Sequence, residues 1–232
     1  MKHADLLARL AGTHVVDDAG LPLRVYRGEK AAPAPGHEGM HTLLPSLSFA
    51  SARIASAYSW ADIGEDAWCR AEPSAADAPR VYPVYLDMKN PAFNQPNDPF
   101  LEYTDLVRVL GEDLAMHFMV QHEQLAMQTG AWEELSDELG CSSIAQVANK
   151  DRARLNELYI QLYPLLDDPD FIGVLRQAGY DGAIYTGSGV GLREVEYRVF
   201  DESSVIYAFS VEPAPAPAII RERVVEETCF SI

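Results

Sequence analysis

Between about residue 100 and residue 178 leucines recur at helical spacing, whereas the runs on either side of that stretch alternate like β-strands. Leu106, Leu110, Leu114, Phe118, Leu125, Leu135 and Leu139 form one series, and Leu155, Leu158, Leu162, Leu165 and Leu166 a second, at the three-to-four spacing that gathers side chains on one side of a helix. Outside it, Leu23-Arg24-Val25-Tyr26-Arg27, Leu47-Ser48-Phe49, Val81-Tyr82-Pro83-Val84-Tyr85-Leu86-Asp87-Met88 and Arg193-Glu194-Val195-Glu196-Tyr197-Arg198-Val199-Phe200 favour β-branched and aromatic residues. Such a chain folds as α+β, with the helical stretch as an inserted subdomain or as a helical layer on the sheet.

The remaining boundaries follow from local chemistry. Residues 2 to 11 form an amphipathic N-terminal helix packed on the domain, because Asp5 and Arg9 interrupt what would otherwise be a signal-peptide core. The first strand is expected near residues 23 to 27. Residues 31 to 39 are a loop by their Pro and Gly content, and residues 62 to 79, small, acidic and Pro-containing, read as a mobile excursion. Asn90-Pro91 should halt the strand that begins at Val81. From Val211 the run Glu212-Pro213-Ala214-Pro215-Ala216-Pro217 is a stiff linker leading into a charged, β-branched tail. One domain over residues 1–210 and a tail over 211–232 result.

Composition bounds the function classes. With 232 residues and 48% of them hydrophobic, the chain can bury a sizeable core. A formal charge of −17 disfavours nonspecific attraction to nucleic acid or to an anionic membrane, and no apolar run approaches the roughly 18 to 20 residues of a spanning helix. Cys69, Cys141 and Cys229 are odd in number and widely spaced, which fits a reducing compartment and neither a disulfide framework nor a metal-ligand pattern. A cytoplasmic protein without a cleavable leader is expected. His117 and His122 lie five apart, so on a helix their rings point about 140° away from each other, and no metal site is expected there. Asp17-Asp18, Glu133-Glu134 and Asp167-Asp168 read as helix-end or loop charges.

Chemistry concentrates in Arg193 to Phe200. Strand residues alternate faces, so Glu194 and Glu196 point the same way, and two carboxylates crowded on one side repel each other. The residues alone leave two readings open, a solvent-facing pair on an edge strand or a pair kept for a ligand. Upstream, Tyr26-Arg27-Gly28 ends a short strand where a guanidinium can meet a phosphate with the backbone close by. Ser48-Phe49-Ala50-Ser51 then leads a strand into a helix bearing Ala55 and Tyr58, with a serine able to cap it.

In order and kind, these three pieces resemble the ADP-ribosyltransferase superfamily, in particular its mono-ADP-ribosylating toxins and effectors of bacterial and phage type. The resemblance spans roughly residues 23 to 209, and its specific content is a small set of residues. It implies a split β-sheet core carrying the helical insertion. It implies NAD as a substrate, with Arg27 on a phosphate beside the backbone of Gly28, and Tyr26, Phe49 and Tyr58 packing on the nicotinamide. Ser48 matches the serine of the second motif, although Ser-Phe-Ala-Ser departs from the family's Ser-Thr-Ser, and either Ser48 or Ser51 can take that role. Glu196 matches the catalytic glutamate and Glu194 the acceptor-side glutamate, whose type goes with arginine as the acceptor on a protein. Release of nicotinamide by water, as in an NAD glycohydrolase, is one alternative. A catalytically inactive relative using its acidic surface as a protein-binding module is another.

Overall fold

In the computed structural model, which describes residues 1–31, 40, 44–60, 77–187 and 193–210, the chain is a mixed α+β domain with several open sheets. It opens with helix α1 (His3–Arg9); Leu6 within it and Leu10 at its C-cap are buried against Ile206. Strands β1 (Val25–Ala31), β3 (Asp77–Leu86) and β9 (Val205–Tyr207) form a three-stranded antiparallel sheet. A second sheet has the order β2 (Leu47–Phe49), β8 (Glu194–Val199), β7 (Gly182–Gly187) and β4 (Pro91–Gln95), with only the β4–β7 pair parallel. Helix α2 (Ala52–Trp60) follows β2 directly and packs on β1.

Among the described residues, one isolated bridge joins the two sheets. Tyr26 N donates to Ala50 O over 2.8 Å and Ala50 N returns the bond to Tyr26 O over 2.9 Å. Between them lies a core built from Val25, Val84, Leu86 and Met88 on one side and Leu47, Phe49, Ile184 and Val199 on the other. The opposite face of the second sheet is also covered: Phe93, Ala183 and Tyr185 are buried among the helices. Every residue of β7 is buried, as expected of a strand sandwiched between two layers.

The helical layer comprises α3 (Tyr103–Leu110), α4 (Glu112–Gln121), α5 (Glu123–Ala126), α6 (Gly130–Leu139), α7 (Ile144–Lys150), α8 (Leu162–Leu166) and α9 (Pro169–Gln177). Its starts are chemically marked. Thr129, Ser143 and Asp168 accept backbone N–H bonds at the N-termini of α6, α7 and α9, and Gly140 closes α6 with a left-handed φ of 58°. Leu106, Leu135, Leu155, Leu158, Leu162, Leu165 and Leu166 are buried in its core, whereas Leu114 is exposed.

Several expectations need correction. The first strand does not end at Arg27 but continues to Ala31, because Arg27 and Gly28 pair across to Tyr82 and Val81. Residues 77 to 79 belong to β3 rather than to an excursion; β3 stops at Leu86, ahead of Asn90-Pro91, and Pro91 then begins β4 of the second sheet. The helical stretch contains two short strands, β5 (Phe100–Glu102) and β6 (Tyr159–Gln161), which pair antiparallel and bring the segment before α8 back to the start of the stretch. Each is three residues long, too short for alternation to register. β8 is not an edge strand, since β2 and β7 flank it. The expectations for residues 32–39, 61–76 and 211–232 lie outside the described residues, as do Cys69 and Cys229, while Cys141 is a buried free thiol. No helix among the described residues is long and apolar enough to cross a membrane.

Candidate active site

A cleft of about 370 Å³ opens where β1, β2, α2 and β8 converge, within the usual range for a small-molecule site. Tyr26, Arg27, Gly28, Ser48, Phe49, Tyr58 and Glu196 border it, as do Tyr163, Asp167 and Arg198. Ser51 and Glu194 line an adjoining hollow with Arg24, Tyr26 and Tyr197.

The strand register explains how the carboxylates are placed. Glu196 sits opposite Tyr185 and Glu194 opposite Gly187, while Ser48 of β2 sits opposite Arg198. On the shared face, Ser48 Oγ donates to Glu196 Oε1 over 2.5 Å, and Arg198 Nε donates to the same oxygen over 2.8 Å. Glu194 has different partners: Ser51 Oγ donates to its Oε2, and the Arg53 guanidinium engages Oε1, with Nε at 2.8 Å. Each serine of the Ser-Phe-Ala-Ser run thus serves one glutamate. Ser51 also accepts from Ile54 N at 3.3 Å, which fastens the start of α2.

Arg27 is held on two sides. Its Nε donates to Glu29 Oε1 over 2.9 Å and its Nη1 to the Ser48 carbonyl over 3.3 Å, so neither bond uses Nη2. Its side chain is 11% exposed and Glu29's 7%, a pairing that fixes the guanidinium more firmly than a surface ion pair would. Gly28 is required by packing: a Cβ there would lie 1.8 Å from the Ala55 carbonyl oxygen, so only glycine lets α2 approach β1 so closely. That approach carries Ile54, Ala55 and Tyr58 to the cleft. Phe49 borders the cleft, but its ring is 1% exposed and packs in the core between the sheets.

Two buried groups complete the site. Arg198 donates through Nη1 to Asp167 Oδ1 over 2.6 Å and to Ser46 Oγ over 3.1 Å, and Ser46 in turn donates to the Leu166 carbonyl over 2.6 Å. Burial opposes the charge of Arg198, yet the negative charge of Glu196 beside it, with that of Asp167, outweighs burial and raises its pKa, so it stays a cation. Tyr185 and Tyr58 keep their protons, with pKa values raised first by burial and then by the charge of Glu196. Burial also pushes the Glu194 carboxyl upward, but Ser51 and Arg53 together overcome it and hold its pKa below the ordinary glutamate value. Glu194 is therefore ionised at neutral pH.

Elsewhere the acidic pairs sit in helices, at helix ends or in turns, and Asp167, at the end of α8, also borders the cleft. Asp168 caps α9 and contacts His122 Nε2 at 2.8 Å. Among the described residues no group of three or more His, Cys, Asp or Glu side chains is arranged to hold a metal ion. Sequence reasoning missed Glu29, Arg53, Asp167 and Arg198. Arg198 was within reach of the alternation used for the glutamates, since it follows Glu196 by two on the same strand face.

The arrangement can fix an anion beside Arg27, present a serine-held carboxylate to a developing cation, and offer a second carboxylate one strand position pair away. Compared with known proteins, the chain matches no family model, no curated protein and no solved structure.

Proposed function

We propose that this chain is a mono-ADP-ribosyltransferase that moves ADP-ribose from NAD onto an arginine of a protein acceptor and releases nicotinamide. The observation that carries the reading is the coupling of Ser48 to Glu196 on the wall of a cleft that also holds Arg27, with Glu194 on the same face of β8. The two sheets joined by the Tyr26–Ala50 bridge fit the split β-sheet core of that superfamily, with residues 100–178 as the helical insertion. A cytoplasmic site of action, in the producing cell or in a target cell, goes with this reading.

The chemistry assigns each group one task. Arg27 binds a phosphate of NAD, and Tyr26, Gly28 and Tyr58 bound the nicotinamide end of the cleft. The bond between the ribose C1′ and the nicotinamide nitrogen breaks with its electron pair moving to the pyridinium, which leaves neutral. The ribose acquires oxocarbenium character, and the Glu196 carboxylate stabilises that charge while accepting a hydrogen bond from a ribose hydroxyl. Ser48 keeps Glu196 oriented through the 2.5 Å bond to Oε1. A guanidino nitrogen of the acceptor then attacks C1′, and Glu194, ionised at neutral pH, holds the guanidinium and takes its proton.

A second reading has one observation in its favour. Both oxygens of Glu194 are engaged by Ser51 and Arg53, and while they are, water is the nucleophile with free access, as in an NAD glycohydrolase. Transfer of labelled ADP-ribose from NAD to proteins of a cell lysate tests the main reading, with Glu194→Ala and Glu196→Ala alongside the wild type. A labelled band lost in both variants supports the transferase. Nicotinamide release without label, surviving Glu194→Ala, supports hydrolysis, and neither product points to an acidic protein-binding module.

A further inference from the structure

Glu196 is not alone in its part of the cleft. Arg198 Nε lies 2.8 Å from Glu196 Oε1, and the two side chains are 9% and 12% exposed, so water screens the pair poorly. A carboxylate so closely paired with a guanidinium presents almost no net charge to a ligand beyond it. Left there, the pair would be a weak stabiliser for an oxocarbenium ion, which needs a nearby anion. Asp167 alters that balance. Its Oδ1 accepts from Arg198 Nη1 at 2.6 Å, and the set of two carboxylates and one guanidinium carries a single net negative charge.

Asp167 comes from the helical layer, at the junction of α8 and α9, and not from the sheet that carries Glu196. The junction is pinned to the sheet by Ser46, which bonds both the Leu166 carbonyl and Arg198. Asp168, next in the chain, is spent on capping α9, so the local structure gives the two aspartates separate tasks. Asp167 is 59% exposed at its side chain and borders the cleft.

Resting on the transferase reading above, we propose that Asp167 is a positioning residue through which the helical insertion completes the site: it neutralises Arg198, holds its Nε on Glu196 Oε1, and leaves the charge of Glu196 available to the ribose. Gly187 bears on the same geometry, since the position its Cβ would take is 2.5 Å from Glu196 Oε2, the oxygen that neither Ser48 nor Arg198 holds.

The test is steady-state nicotinamide release from NAD by the full chain and by Asp167→Asn and Asp167→Glu, with kcat and KM separated and thermal unfolding recorded. Asn keeps the shape and removes the charge, so kcat should fall roughly ten- to a hundredfold while KM for NAD changes less than about threefold. Asp167→Glu should return kcat to within about threefold of wild type, a rescue that a purely structural contact to Arg198 would not tie to charge. Wild-type kcat in Asp167→Asn, or a kcat in Asp167→Glu as low as in Asp167→Asn, overturns the inference while the transferase reading stands. A wild-type chain that neither releases nicotinamide nor transfers ADP-ribose overturns both.

Discussion

Replacing Gly187 with alanine should separate stability from chemistry. The new Cβ would meet Glu196 Oε2 at 2.5 Å and Glu196 Cβ at 3.0 Å, whereas a carbon–oxygen contact relaxes near 3.3 Å, so the carboxylate must retreat by roughly 0.8 Å. Nothing in the backbone resists the change, since Gly187 is not among the glycines with positive φ. The retreat strains the bonds from Ser48 and Arg198 to Oε1, and losing a charge-assisted hydrogen bond costs about 1.5–3 kcal/mol. Restricting the unfolded chain at a former glycine returns about 0.4–1 kcal/mol. The net loss of about 1–2 kcal/mol corresponds to a fall in Tm of roughly 2–8 °C for a chain of this size. Displacing a catalytic carboxylate by close to an ångström costs on the order of a hundredfold in rate. Nicotinamide release by Gly187→Ala should therefore fall about a hundredfold at a temperature where circular dichroism finds the variant fully folded. A folded variant with wild-type turnover would refute the placement of Glu196 at the reacting centre.

Gly28→Ala should show the opposite balance, because the atom in the way is the Ala55 carbonyl at 1.8 Å, part of a helix backbone that cannot yield cheaply; thermal melts should record a loss of about 3 kcal/mol or more. Arg53→Ala frees Glu194 of an exposed ion pair of the kind that contributes about 0.2–1 kcal/mol, so transfer to a subsaturating guanidino acceptor such as agmatine should rise about 1.5- to 5-fold. Asp168→Ala removes the cap of α9 and the contact to His122, and urea titration at neutral pH should find about 1–3 kcal/mol less stability. Burial pushes the Asp168 carboxyl upward, but His122 and the backbone N–H groups of Asp170 and Phe171 prevail and lower its pKa. Its contribution is therefore complete above the unfolded value near 4 and is lost as pH falls through the lower folded value, so the gap between Asp168→Ala and wild type should narrow below about pH 4.

The parts of this molecule legible in the sequence are those where a local rule and the tertiary structure agree. The strand Glu194–Val199, the helix Ala52–Trp60 with Ser51 at its start, and the helical leucines all follow from periodicity and capping. β4 was hidden because Pro91 reads as a strand terminator, yet Pro is tolerated at a first strand residue. β5 and β6 were hidden because three-residue strands have no measurable period. In the site, Ser48, Arg27 and the two glutamates match the motif positions, and Glu29, two beyond Arg27 on β1, follows from alternation once the strand runs past Arg27, while Asp167 acquires its place only through folding. Asp167 looks like a helix-end charge and is one, but the end of α8 happens to abut Arg198.

The central claim is that Glu196 breaks the nicotinamide bond and Glu194 serves the acceptor. It is tested most directly by following nicotinamide release and ADP-ribose transfer to agmatine in one reaction of the purified chain with NAD. The account predicts that Glu196→Ala loses both products and that Glu194→Ala loses transfer while retaining nicotinamide release. Equal activity of wild type and Glu196→Ala in both channels would contradict it.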